Sequence, residues 1–217
     1  MQTTGSAKFR GVLFDLLTAL LDSRSLWTDV AGSAAAADRW REEYLRITYG
    51  TGRYRAYEDL VAEAAIAVGL GKHAADELAD RYHELRPWPE AKAALEALAA
   101  LGLKSAVVTN CSERLGRLAA GCVGVRFDTV VTAERAGWYK PHAQPYLLGL
   151  DELGMRVDEC LFVAGSAYDL IGTARVRVAT FWHNRSGLPL PPHIPPPAAT
   201  AADLRGLSAY VTAIPPK

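Results

Sequence analysis

The sequence predicts an α/β protein: a doubly wound parallel sheet interrupted after its first strand by a helical insert. Apolar runs of strand character recur at Gly11–Phe14, Leu103–Val108, Thr129–Val131, Leu161–Val163 and Val178–Trp182. Alanine- and leucine-rich helical stretches, such as Glu90–Ala100 and Tyr146–Leu153, separate the later runs. Buried strands that alternate with helices indicate a parallel sheet. The span from Ser23 to Trp88 breaks this alternation and carries no convincing strand.

The elements follow in chain order. MQTTGSAKFR reads as a short loose tail, with no apolar stretch that would make it a signal peptide. Gly11–Phe14 is the first strand. SAAAADRWREEYLRITYG and YEDLVAEAAIAVGL then have helical composition and spacing, punctuated by Gly50, Gly52, Gly69 and Gly71 and closed by Pro87 and Pro89. The division this predicts is a core of residues 1–22 and 89–217, and an inserted helical cap over 23–88 that could act as a lid. GLPLPPHIPPP, residues 187–197, should run extended over the surface. Leu204–Val211 is a candidate last helix.

Half of the 217 residues are hydrophobic and 22% are charged, in the range of a globular chain with a sizeable core. A formal net charge of zero, with scattered basic residues, gives no field favouring nucleic acid or an anionic membrane. No apolar stretch approaches the ~20 residues that span a bilayer. Cys111, Cys122 and Cys160 are odd in number and fit no CxxC spacing, which argues against a disulfide framework or a zinc site. A reduced, cytoplasmic setting is the expectation.

The apolar run Gly11–Phe14 ends in a carboxylate, Asp15. Three other strand regions lead to polar residues: Thr109 and Asn110 after Val108, Lys140 in GWYKPHAQPY after the third strand, and Asp169 at the end of AGSAYD after Val163. In a parallel sheet these share one edge, where ligands bind. The set permits covalent catalysis. Asp15 would attack an electrophile, Lys140 would hold it ionised and offset developing charge, and Thr109 and Asn110 would donate hydrogen bonds to the substrate. Asp169 would orient Lys140 or activate a water. Other readings are a cap of the helix near Ser112 for Thr109 and Asn110, and an N-cap for Asp169. His142 and His183 share no metal-ligand spacing and read as loop hydrogen-bonding residues. Cys111 could line the pocket. Trp40, Tyr44, Tyr49 and Tyr54 read as packing within the insert, one or two of them able to wall a substrate pocket.

This ordered set resembles the haloacid dehalogenase superfamily, whose motifs are a strand-end Asp, a Thr or Ser, a Lys and a terminal acidic motif, with a helical cap after the first. Phosphatases of that superfamily resemble D-x-D-G-T and G-D-x-x-x-D; here the stretches are Asp15-Leu16-Leu17-Thr18-Ala19 and Ala164-Gly165-Ser166-Ala167-Tyr168-Asp169. Leu17 transfers no proton, and glycine replaces an acid. The pattern is similar to the metal-independent L-2-haloacid dehalogenase branch, in which a halide leaves without a general acid. FVAGSAYD resembles F-V-S-S-N-A-W-D, and FWHNRSGLP is similar to the stretch that follows it. Leu17, Thr18 and Ala19 stand where that branch resembles Y-G-T. Asp38-Arg39-Trp40-Arg41 resembles a W-R segment, which implies that Arg41 binds the substrate carboxylate or departing halide, with Arg53 and Arg55 as alternatives.

The resemblance implies a hydrolase with Asp15, Lys140 and Asp169 catalytic, Thr109, Asn110, Ser166, Arg41 and Leu17 at the substrate, and no cofactor. Its partner is a small carboxylate molecule, with a homodimer favoured if the cap exposes an apolar face. The alternatives are a phosphatase with magnesium on Asp15, the Leu17 carbonyl and Asp169, and a non-catalytic binding protein on the same frame.

Overall fold

A computed structural model describes residues 9–213; the first eight residues of the expected tail lie outside them. Six strands form one sheet: β1 (Gly11–Phe14), β2 (Lys104–Thr109), β3 (Thr129–Thr132), β4 (Cys160–Ala164), β5 (Ala179–His183) and β6 (Ala199–Ala201). Their order is β3-β2-β1-β4-β5-β6 and every pairing is parallel. The expected α/β sheet is therefore present: β1 has its expected bounds, and the other four expected strands are shifted or lengthened by one residue at their ends. The sixth strand was not expected. It is three residues long and follows the proline run, itself without helix or strand through residue 197.

The chain winds outward from β1 through β2 to β3, then crosses back to β4. The order therefore reverses between β1 and β4, and the crevice at their carboxyl ends is where such sheets bind ligands. Register places Phe14 beside Val107 and Val163, so Asp15 emerges between the ends of β2 and β4.

The sheet is covered on both faces. Val12, Phe14, Val107, Leu161 and Val163 pack with α5 (Ala91–Ala100) and α6 (Glu113–Cys122). Leu13, Ala106, Val108 and Phe162 pack with α8 (Ala143–Leu153) and α9 (Asp169–Val176). This alternation is the period of two that a strand imposes. A short α7 (Ala133–Ala136) follows β3, and α10 (Leu207–Thr212) ends the described chain, starting three residues later than expected.

Between β1 and α5 lie α1 (Ser23–Ala31), α2 (Ala34–Thr51), α3 (Tyr57–Ala67) and α4 (Lys72–Asp80). Ser33 caps α2 by accepting from Ala36 N. Ala36, Ala37, Trp40, Tyr44 and Thr48 give α2 a buried stripe at helical spacing. Trp40 donates from its indole to the Val61 carbonyl at 2.9 Å, tying α2 to α3. The chain leaves and re-enters the sheet region at one place: Leu21 bridges Pro87, Asp22 N donates to Arg86 O at 2.8 Å, and Trp88 N donates to Leu20 O at 2.9 Å. Among the described residues no helix is long and apolar enough to cross a membrane.

Gly149 marks where α8 touches the sheet. A Cβ there would lie 2.6 Å from Leu13 Cδ2 and 3.2 Å from Val108 Cγ2. Overpacking of this kind costs about 1–3 kcal/mol. Gly149→Ala should therefore lower the urea midpoint with an unchanged m-value, and an unchanged midpoint would show that the α8 contact is looser than described.

Candidate active site

Asp15, Lys140 and Asp169 meet at the carboxyl edge of the sheet. Lys140 Nζ donates to Asp15 Oδ1 at 2.8 Å and lies 2.9 Å from Asp169 Oδ1. All three side chains are at most 10% exposed. A buried ammonium flanked by two carboxylates leaves one net negative charge out of water, tolerable only where each ion is paired and hydrogen-bonded.

The partners of the two carboxylates differ. Asp15 Oδ2 accepts from Thr18 Oγ1 at 2.6 Å, Thr18 N at 3.0 Å and Ala19 N at 3.1 Å. Burial pushes the Asp15 carboxyl up, but the Lys140 charge and hydrogen bond and the Thr18 donors outweigh it, so its pKa lies below the usual value. Asp169, the first residue of α9, accepts on Oδ1 from Lys140 and from the Tyr146 hydroxyl at 3.1 Å. Burial dominates there, Asp15 adds repulsion, and the carboxyl is pushed up to about 6 despite Lys140. Lys140 itself is held above the usual lysine range, because the two carboxylates overcome its desolvation. Two carboxylates on one ammonium thus divide into one firmly ionised and one able to exchange a proton near neutrality.

Asn110 holds the lysine's backbone: its Oδ1 accepts from Lys140 N at 2.7 Å and its Nδ2 donates to Lys140 O at 3.2 Å. Tyr44, from α2, donates to the Asn110 carbonyl at 3.1 Å. Thr109 is the last residue of β2, with its hydroxyl 3.3 Å from Cys111 Sγ. Neither side chain caps α6, whose first turn is capped by Ser112 Oγ. Burial raises the Cys111 thiol to about 12, so it is no ready nucleophile. Ser166 lies in the turn after β4, where its hydroxyl accepts from Tyr168 N at 3.3 Å. His142 caps α8, and His183 donates from Nδ1 to the Ala19 carbonyl at 2.9 Å.

Arg41 lies one residue past Trp40 on α2, and its guanidinium donates to Ser23 Oγ at 3.0 Å and stands 5.6 Å from the Trp27 ring centre. Burial lowers its proton affinity, and charge interactions with Tyr57, Tyr82 and Asp15 oppose that shift. Among the described residues no carboxylate lies within ion-pair distance of it. Arg55 pairs with Glu63 and Arg53 lies over Trp138, and both are exposed, whereas Arg41 is partly buried.

Tyr146, Thr18 and Gly165 were not read as site residues from the sequence. Tyr146 reaches Asp169 across Gly172, where any Cβ would overlap its ring. Gly165 faces the turn after β1, and a Cβ there would overlap the Thr18 carbonyl carbon, Thr18 Oγ1 and Ala19 N. The position where phosphatases carry an acid therefore has no room for any side chain. Leu17 is half-buried, and its carbonyl receives Ser23 N at 3.4 Å. Among the described residues no three His, Cys, Asp or Glu side chains cluster as metal ligands. Magnesium needs several hard oxygens, whereas both carboxylates here already bind Lys140, so the donor set does not fit that ion.

The family model for haloacid dehalogenase-like hydrolases matches residues 9–176. The chain is 29% identical to (S)-2-haloacid dehalogenase 1 of Pseudomonas sp. (strain CBS-3) over 191 residues, 82% of this chain and 83% of that one. It is 28% identical to haloacetate dehalogenase H-2 of Moraxella sp. (strain B), over 68% of this chain and 71% of that one. The crystal structure of an L-2-haloacid dehalogenase superposes with a TM-score of 0.85 at 26% identity, covering 95% of this chain and all of that one. The strand-end aspartate, the buried lysine and the acidic turn after β4 thus sit on a known frame, and the chain belongs to the haloacid dehalogenase-like hydrolases.

Proposed function

We propose that this hydrolase cleaves the carbon–halogen bond of small L-2-haloacids without a metal, using Asp15 as nucleophile. The observation that carries the reading is the pairing of an ionised, buried Asp15 on Lys140 with an Arg41 guanidinium that has no carboxylate of its own. Such a pocket suits a substrate that brings one anion and one displaceable halide. The relatives named for 2-haloacids and haloacetate support the same substrate class.

In this mechanism Arg41 binds the substrate carboxylate, its planar fork matching two oxygens. Asp15 Oδ1 attacks C2, and the halide departs with the electrons of the carbon–halogen bond, leaving an ester on Asp15. Lys140 keeps the carboxylate ionised and offsets charge on Oδ1. Water then attacks the ester carbonyl carbon, and Asp169 takes its proton. Both hydrogen bonds to the Asp169 carboxylate end on Oδ1, and Tyr146 keeps that carboxylate aimed. Asn110 acts through the Lys140 backbone, while Thr109 and Ser166 shape the turns around the pocket and Leu17 supplies an apolar rim. We assign residues 23–88 the role of a cap: the reacting carboxylates are buried, so substrate enters when α1–α4 swing about the crossing of residues 20–22 and 86–88.

Magnesium-dependent phosphatase chemistry is disfavoured by the same contacts. Gly165 excludes a third carboxylate, and the Lys140 ammonium already stands between the two that remain.

Halide release from L-2-chloropropionate should persist in EDTA and vanish in Asp15→Asn, as ion chromatography would read. Loss of turnover in EDTA, or full activity in Asp15→Asn, sinks the proposal. Arg41→Lys keeps the charge and loses the fork; kcat/KM should fall by about 10- to 100-fold, the range of a lost 1.5–3 kcal/mol charged hydrogen bond. Equal activity toward the 2-haloacid would move the carboxylate site elsewhere. Asp169 must be ionised to accept the water's proton, so kcat/KM should rise with pH through a limb near 6 and be lost below it. A profile flat from pH 5 to 8 would remove Asp169 as the base.

A further inference from the structure

Lys140 is placed differently from the carboxylates it joins. Asp15 directly follows β1, and Asp169 opens α9 just after β4. Lys140 stands beyond α7, well past the end of β3 at Thr132, so the register of the sheet does not fix it. Its backbone takes both ends of the Asn110 amide, and the residues just before it take a second set of bonds from the helical insert. Tyr54 N donates to Gly137 O and Tyr139 N donates to Gly52 O, both at 2.9 Å, an antiparallel bridge that pairs Arg53 with Trp138. The Tyr139 hydroxyl donates to the Arg55 carbonyl at 2.8 Å, and its ring stacks on Tyr54. Asn110 is tied to the insert as well, because its carbonyl accepts from the Tyr44 hydroxyl of α2. Both grips on the lysine's backbone thus lead to residues 23–88.

We propose that Tyr44 and Tyr139 are positioning residues for Lys140: by gripping Asn110 and the residue before the lysine, the insert sets the point from which the ammonium reaches Asp15 and Asp169. This rests on the reading of Asp15 as a nucleophile served by that ammonium. Nζ lies 2.8 and 2.9 Å from its two carboxylate oxygens, and weak screening in a buried site makes their attraction fall steeply with distance. A misplacement on the order of 1 Å, caused far from the chemistry, is enough to slow a reaction. Docking the insert and setting the lysine are then one event. Another contact between insert and core lies elsewhere: Glu58 of α3 accepts from Ser112 Oγ at 2.9 Å and pairs with Arg114 at 3.2 Å. It docks the insert on α6 rather than on the lysine's loop.

The experiment compares wild type, Tyr44→Phe, Tyr139→Phe and Glu58→Ala by steady-state halide release from L-2-chloropropionate and by hydrogen exchange, read by mass spectrometry, in peptides covering residues 137–142. Both phenylalanine variants keep the ring and lose the hydroxyl. Each should lower kcat by about 2- to 10-fold, the range one net hydrogen bond supplies, with KM unchanged. Each should also speed exchange over 137–142, Tyr44→Phe included, although its hydroxyl bonds to Asn110 and not to that loop. Glu58→Ala loosens the insert at α6 and should leave both kcat and that exchange at wild-type values. Wild-type kcat in either phenylalanine variant, a loss confined to KM, or an equal loss in Glu58→Ala overturns this inference alone. Absence of halide release in the wild type overturns the dehalogenase reading, and exchange then decides the rest. Faster exchange in both phenylalanine variants but not in Glu58→Ala keeps the positioning of Lys140; unchanged exchange overturns it too.

Discussion

The Lys140 ammonium, 2.8 Å from one buried carboxylate and 2.9 Å from another, is the interaction the rest of the site is built around. Each of these ions alone would cost several kcal/mol to bury. Together they require three chain segments, the ends of β1 and β4 and the loop after β3, to converge at one depth. The parallel sheet provides that convergence by putting every strand's carboxyl end on one edge. Asn110 then fixes the lysine with two backbone hydrogen bonds, so that the side chain reaches inward from a defined point.

Sharing one cation does not make the carboxylates alike. Asp15 adds three donors on Oδ2, including two amides that cannot dissociate, and stays ionised. Asp169 adds a single phenol and carries the repulsion of Asp15, which leaves it poised near 6. The asymmetry follows from backbone placement: the turn after β1 curls its amides onto Asp15, whereas Asp169 begins a helix and has Tyr146 as its added partner. A covalent hydrolase needs this pair, an anion at all working pH values and a base that can be protonated and recovered.

Much of this was legible in the sequence, because charge at the end of an apolar run is conspicuous. Asp15, Lys140 and Asp169 each follow a strand, and the sheet order makes Asp15 a neighbour of the other two although more than a hundred residues separate it from either. Other features left no local signal. Tyr146 lies in a leucine-rich helix stretch and reads as core until its hydroxyl is found on Asp169. Gly165 reads as a missing acid, whereas in space it is a close approach of two turns. Asn110 was expected at the substrate, but both ends of its amide are on the backbone of Lys140, a partner thirty residues away that only the fold identifies. Arg41 sits among Arg39, Glu42, Glu43 and Arg46 on one helix. Arg46 pairs with Glu43, while Arg41 turns under Trp27 without an acid, a distinction that depends on helix packing. The three-residue β6 is too short for any periodicity to show.

Burial then sets the chemistry the site can sustain. In a buried site screening is weak, so the Lys140 charge strongly holds the two carboxylates it faces. On the proposed reading, the Lys140 and Arg41 cations share the pocket with two fixed carboxylates, and an arriving haloacid would add a third anion. The pocket therefore tolerates a bound carboxylate best when Asp15 has lost its charge by becoming an ester. In the proposed reaction, ester formation would relieve that crowding, and expelling the halide would remove the negative charge it produces. In that proposal what remains is a neutral ester linkage with Asp169 as the acceptor for one water proton, an order of events that calls on fixed dipoles and side-chain cations rather than a metal ion.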